Sequence, residues 1–169
     1  MSLDGFIAGP NDELDWLDEL EHIEGVDYGY AEFMATVDAL VMGRRTFETV
    51  VSLVEEWPYE KPVIVMSSTL SELPGHVTDC ELFSGSPIEV IAEAEARGWT
   101  KLYVDGGRLA SSFANEGLLD ELIVSVLPVA LGEGVAVFGA LADHTWVDLV
   151  ATDTFANGMV QHTYKLRTQ

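Results

Sequence analysis

Gly43-Arg44-Arg45-Thr46 and Asp105-Gly106-Gly107-Arg108 place three of the chain's five arginines directly after strand-like runs. Ser67-Ser68-Thr69 follows a third such run. A helix that begins at a turn of this kind offers unpaired backbone N–H groups and the positive end of its dipole. Glycine lets a phosphate approach the backbone, and arginine adds a forked donor. The implied chemistry is the binding of a phosphorylated ligand. Two arginines and several hydroxyls suit an adenosine ribose phosphate, and the N–H groups of Gly106-Gly107 suit a pyrophosphate, so the ligand expected is a dinucleotide. The clustering carries weight because cations are scarce: 29 acidic side chains stand against 8 basic ones, a formal net charge of -21.

Other chemistries lack their residues. There is no G-x-x-x-x-G-K-[ST] loop, and no G-x-G-x-x-G follows the first strand. His22, His76, His144 and His162 have no metal-like spacing with Cys80, and no metal is expected. A G-x-S-x-G elbow is also absent.

The elements that must hold these turns alternate. Asp38–Met42 reads as a buried strand, followed by a helix with Phe47, Val50, Val51 and Val54 on one stripe. Pro62–Met66 is a second strand and residues 80–84 a short third. A helix begins near Pro87 and ends at Gly98, Lys101–Val104 is a strand, and Leu109, Ala110 and Phe113 mark another helix. After residue 120 the pattern changes to strands at 121–127, 146–152 and 159–166, with a glycine loop at 131–134 and a hairpin signal at Asn157-Gly158. The fold class is α/β: a mainly parallel sheet with an antiparallel C-terminal addition. Parallel strands would bring all three turns to one carboxyl edge, where open α/β sheets bind ligands. The chain opens as if on the end of a strand running into a loop, Ser2 to Ala8.

Length and composition give one domain, residues 1–169, without linker or repeat. No apolar run reaches the roughly 18 residues of a membrane span, so a cytoplasmic protein with no membrane partner is expected. No broad basic face offers itself to nucleic acid. Acid spread along the chain with only three lysines fits a surface adapted to high salt.

The turns also carry a family resemblance. Val41-Met42-Gly43-Arg44-Arg45-Thr46-Phe47-Glu48 resembles the hallmark of dihydrofolate reductases. Ser2–Ala8, Val104–Gly107, Leu118–Leu122 and Leu131–Gly134 are most similar to a sister group. That group holds the reductase domain of riboflavin biosynthesis and many stand-alone proteins. The resemblance implies a three-layer fold with helices on both faces of a mixed sheet, NADPH as cofactor, and often a homodimer. It places Gly43, Arg44, Arg45 and Thr46 on cofactor phosphates, and Ser67 and Ser68 beside the adenosine 2'-phosphate with Arg44 or Arg45. Gly106, Gly107, Arg108 and Leu109 would line the pyrophosphate and nicotinamide side, with Ala8 near the nicotinamide.

The substrate side departs from dihydrofolate reductase. Counting back from Phe33, Gly29 stands where that enzyme's helix carries its acid; Asp27 and Glu32 are near but out of register. Asp15 and Asp4 are further acids that could face a pocket; Asp15 is equally a helix cap, and Asp4 is read first as a stabiliser of its loop. Trp16 could stack on a planar heterocycle or simply pack. The expected activity is NADPH-dependent hydride transfer to a pteridine- or pyrimidine-like heterocycle. The alternatives are the riboflavin-pathway diaminopyrimidine phosphate reductase and a dinucleotide-binding dimer without turnover.

Overall fold

Nine strands and four helices follow the expected alternation in a computed structural model that describes residues 1–167. In chain order they are β1 (Phe6–Ala8), α1 (Tyr30–Thr36), β2 (Ala39–Gly43), α2 (Arg44–Leu53), β3 (Val63–Met66), β4 (Cys80–Phe83) and α3 (Pro87–Ala96). Then come β5 (Leu102–Asp105), α4 (Gly107–Asn115), β6 (Glu121–Val126), β7 (Val135–Ala136), β8 (Val147–Thr154) and β9 (Val160–Leu166). A 3-10 turn at Asp15–Leu17 precedes α1. The class is three-layer α/β: mainly parallel strands, antiparallel C-terminal strands and flanking helices, as the sequence implied.

The described residues fall into two compact units, residues 27–110 and residues 1–26 with 111–167. The first of these holds the parallel ladder β4-β3-β2-β5. Its register aligns Leu40 with Val63 and Tyr103, and Met42 with Val65 and Asp105. Leu40, Met42, Val63 and Val65 form a buried cluster with Phe47 of α2. The opposite face, Ala39, Val41 and Ile64, is equally buried. Burial on both faces explains why these strands read as continuous apolar runs. Cys80 packs against the same cluster, and burial pushes its thiol up to about 11, which suits a packing residue.

The other unit is antiparallel. β6-β9-β8 forms one ladder and β1-β7 another. The chain start is tied down: the Met1 amine donates to the Ser125 carbonyl, and Leu127 N–H donates to the Met1 carbonyl. β1 falls within the opening segment read as the end of a strand, whereas β7, too short to show a period, was not foreseen. Asn157-Gly158 does join two strands, but within a longer loop. Gly158 N–H donates to Phe155 O and Gly158 takes φ +84°, so the glycine supplies the left-handed position of a bulged turn.

Candidate cofactor site

The four parallel strands end at Phe83, Met66, Gly43 and Asp105, so four strand ends share one edge; three lead into helices, whereas β3, against the sequence expectation, leads through a helix-free turn at Ser67-Ser68-Thr69 towards β4. The outermost is closed to anions. After β4, Ser86 and Glu89 form a reciprocal capping box, with Ser86 N–H donating to Glu89 Oε2 at 2.7 Å, and a carboxylate holds the start of α3. The other three are adjacent and different. α2 begins without a side-chain cap at Gly43 and without acid in its first turn, where Arg44 and Arg45 stand instead. α4 begins at Gly107-Arg108, also without acid in its first turn. In a chain of net charge -21, two neighbouring helices open without acid in their first turns, an arrangement that would favour an anion there.

The β2 and β5 junctions interlock. Gly106 takes φ +104°, and a Cβ there would collide with Thr46 Oγ1 in the first turn of α2. A Cβ on Gly43 would touch Leu109 at 4.0 Å. Gly43, Thr46, Gly106 and Leu109 therefore form one close-packed cradle of backbone. The β3 junction joins through Arg44, whose Nη1 donates to Thr69 Oγ1 at 3.2 Å. Ser67 Oγ accepts from the N–H groups of Thr69 and Leu70, which fixes that turn. Arg44 also lies 3.8 Å from Glu48, one turn on, in an exposed pair. The arginine donors and the hydroxyls fit a dinucleotide phosphate, while the glycine at 106 is required by its packing on Thr46.

Each expected acid has its own surroundings. Asp27 caps α1, its two oxygens accepting from Gly29 and Ala31 N–H at 3.0 Å each, and these bonds lower its pKa. Glu32 is exposed in the first turn of α1. Phe33, from the same helix, meets Tyr103 edge-on at 5.1 Å. In the other unit, Asp4 accepts from Ser2 Oγ at 2.7 Å, Leu131 N–H at 3.1 Å and Gly132 N–H at 2.7 Å. Those donors hold its pKa down to about 2 and make it a clamp on the glycine loop. Ala8 is buried in β1, and a Cβ on Gly134 of the paired segment would strike its carbonyl. Asp15 is exposed at the start of the 3-10 turn; Trp16 beside it has its indole N–H enclosed without a partner among the described residues.

One acid escaped the sequence reading. Asp105 ends β5, two residues after Tyr103 and so on the same face. Burial raises its pKa, although the Tyr103 hydroxyl and Gly106 N–H both donate to its carboxyl. In sequence it looked like an ordinary acid before a glycine turn. The available signal was Tyr-x-Asp at the end of a buried strand.

The family described as the RibD C-terminal domain matches residues 1–161. The chain belongs to that family. The RibD C-terminal domain chain is 34% identical over 165 residues to YwjB, an uncharacterised Bacillus subtilis protein, covering 96% of this chain and 92% of that one. The crystal structure of a candidate riboflavin biosynthesis protein from Shewanella sp. PV-4 superposes with a TM-score of 0.93 at 37% identity, covering 99% of this chain and 96% of that one. Enterococcus faecalis dihydrofolate reductase, solved with NADP(H), shares the fold at TM-score 0.63 and 20% identity, over 99% and 93% of the two chains. Fold and family thus place the chain in the dihydrofolate-reductase-like superfamily, nearest its RibD branch.

Proposed function

We propose that this protein is an NADPH-dependent reductase of a pteridine- or pyrimidine-like heterocycle. The observation that carries the reading is the pair of helix starts after β2 and β5 without acid in their first turns, that of α2 also without a side-chain cap, with Arg44 bridging to the β3 turn. Arg44 with Thr69, Ser67 and Ser68 would hold the adenosine 2'-phosphate, and Arg45 and Thr46 the neighbouring phosphate oxygens. Gly106, Gly107, Arg108 and Leu109 would line the pyrophosphate and nicotinamide side, the start of α4 facing the pyrophosphate. Bound NADPH would supply the hydride, and the chain's part would be to align it against the heterocycle. The relatives, one of them a candidate riboflavin biosynthesis protein, support reductase chemistry on a heterocycle.

A riboflavin-type substrate would bring a phosphate of its own. Of the five Lys and Arg side chains away from the three junctions, three are already engaged. Arg97 is engaged by Glu81 and Glu93, Arg167 pairs with Asp148, and Lys101 lies over the Phe33 ring. This favours a heterocycle without a phosphate. The test is NADPH oxidation with a panel of pteridines and aminopyrimidines, phosphorylated and not. Steady turnover of an unphosphorylated member is expected. Tight NADPH binding with no turnover on any member would favour a dinucleotide-binding module instead.

A further inference from the structure

The first turns of α2 and α4 are without acid, yet the second turn of α2 brings one within reach of the site. Glu48 follows Arg44 by four residues, a spacing that puts both side chains on one face of the helix. Its Oε2 lies 3.8 Å from Arg44 Nε. The same guanidinium donates from Nη1 to Thr69 Oγ1 at 3.2 Å, and Thr69 is fixed in turn by its N–H, which donates to Ser67 Oγ. Arg44 is therefore held between a carboxylate of α2 and a hydroxyl of the β3 turn. Helix stability does not account for the pair. A cation at the start of a helix opposes its dipole, and a base preceding an acid is the weaker order for such pairs. The hold is also loose: the two side chains are 45% and 49% exposed, so an anion can reach the guanidinium and Glu48 can turn away into water. Arg97 shows the contrast. Two carboxylates, Glu81 and Glu93, engage it, and it lies over the Trp99 ring.

We propose that Glu48 is a built-in competitor for the 2'-phosphate of the cofactor, pairing with Arg44 until NADPH binds and so setting the margin between NADPH and NADH. This rests on the reductase reading above, which puts that phosphate on Arg44. Binding NADPH then exchanges one ion pair of Arg44 for another. The phosphate wins because it carries more charge and takes the guanidinium fork at two points, against a single 3.8 Å approach by Glu48. NADH has a ribose hydroxyl at that place and leaves the pair closed. A small free anion must also displace Glu48, without the rest of a dinucleotide to hold it there, so the pair keeps such anions off Arg44. Salt screens the pair that is lost as well as the pair that is gained, which softens the salt dependence of NADPH binding.

Calorimetric titration of the whole chain is the test. Glu48→Gln keeps the shape of the side chain and removes its charge. It should tighten NADPH about two- to fivefold, the range expected for an exposed pair, and leave NADH unchanged. Across a KCl series, NADPH affinity should fall more steeply in Glu48→Gln than in the unmutated protein. Added to Arg44→Ala, Glu48→Gln should change nothing. Unchanged or weaker NADPH binding by Glu48→Gln overturns the proposal. The same gain in the absence of Arg44 also overturns it, since Glu48 would then act by general repulsion. A second arm needs no cofactor. Inorganic phosphate is titrated into protein labelled with 15N-arginine, and the Arg44 Nε–H signal is assigned by its loss in Arg44→Ala. That signal should move at lower phosphate concentration in Glu48→Gln, and an equal response of the two proteins would count against Glu48. Failure of the unmutated protein to bind NADPH would strike the reductase reading instead, and the phosphate titration would still judge the competition.

Discussion

Two aspartates show how one side chain reaches opposite ends of its range. Asp4 is exposed but collects three donors, so its carboxylate is favoured. Asp105 is enclosed, so its acid form is favoured despite two donors. The consequences for stability have opposite sign. With its pKa lowered from 3.8 to about 2, Asp4 contributes stability that is complete above the unfolded value and lost as pH falls through that window. Asp4→Asn should therefore weaken the protein at neutral pH and flatten its acid unfolding curve between those values, read by circular dichroism. With its pKa raised, Asp105 contributes below 3.8 and loses that contribution as pH rises through the folded value. Asp105→Asn should leave neutral-pH stability unchanged or higher in the same melts. Gly106→Ala is a third test at this scale. The left-handed φ and the collision with Thr46 should cost about 1–3 kcal/mol, and NADPH affinity should fall with it. Undiminished affinity would mean that the cradle is not where the phosphates lie.

At the scale of elements, two kinds of helix start lie on one sheet edge, and they call for different outcomes. Ser86→Ala breaks the α3 capping box and should lower stability by about 1 kcal/mol while leaving NADPH affinity alone. A drop in affinity would show that the β4 junction also belongs to the site. Sequence periodicity located β2, β3, β5 and α2 because a strand buried on both faces is continuously apolar and an α2-type helix has a single stripe. Once those strands are parallel, the shared edge follows, so the junctions at Gly43, Ser67 and Gly106 were legible together. Which arginine reaches the β3 turn was not: Arg44 and Arg45 are adjacent in sequence, and only the helix phase sends Arg44 to Thr69. Asp105 was missed for a related reason. Its enclosure comes from Tyr103 two residues before it and Met42 on the next strand, and one of those is visible only in the ladder.

Across the whole molecule, charge dominates. With 29 acids against 8 bases, self-repulsion should weaken the fold in dilute buffer. At molar salt the Debye length falls to about 3 Å, so Tm in a KCl series should rise; a flat or falling Tm would refute adaptation to salt. The C-terminal ladder ends in an exposed edge strand, with Leu149 59% and Val150 54% exposed and Trp146, just before it, 64%. Such an edge invites pairing, and a homodimer through β8 is expected; a monomer mass by light scattering at high salt would contradict it. The central claim is the cofactor, and calorimetric titration at fixed ionic strength tests it most directly. NADPH should bind more tightly than NADH. Arg44→Ala should weaken NADPH by about one to two orders of magnitude, as expected for a charged hydrogen bond of about 1.5–3 kcal/mol, and barely change NADH. Equal affinities of the unmutated protein for the two cofactors would contradict the account.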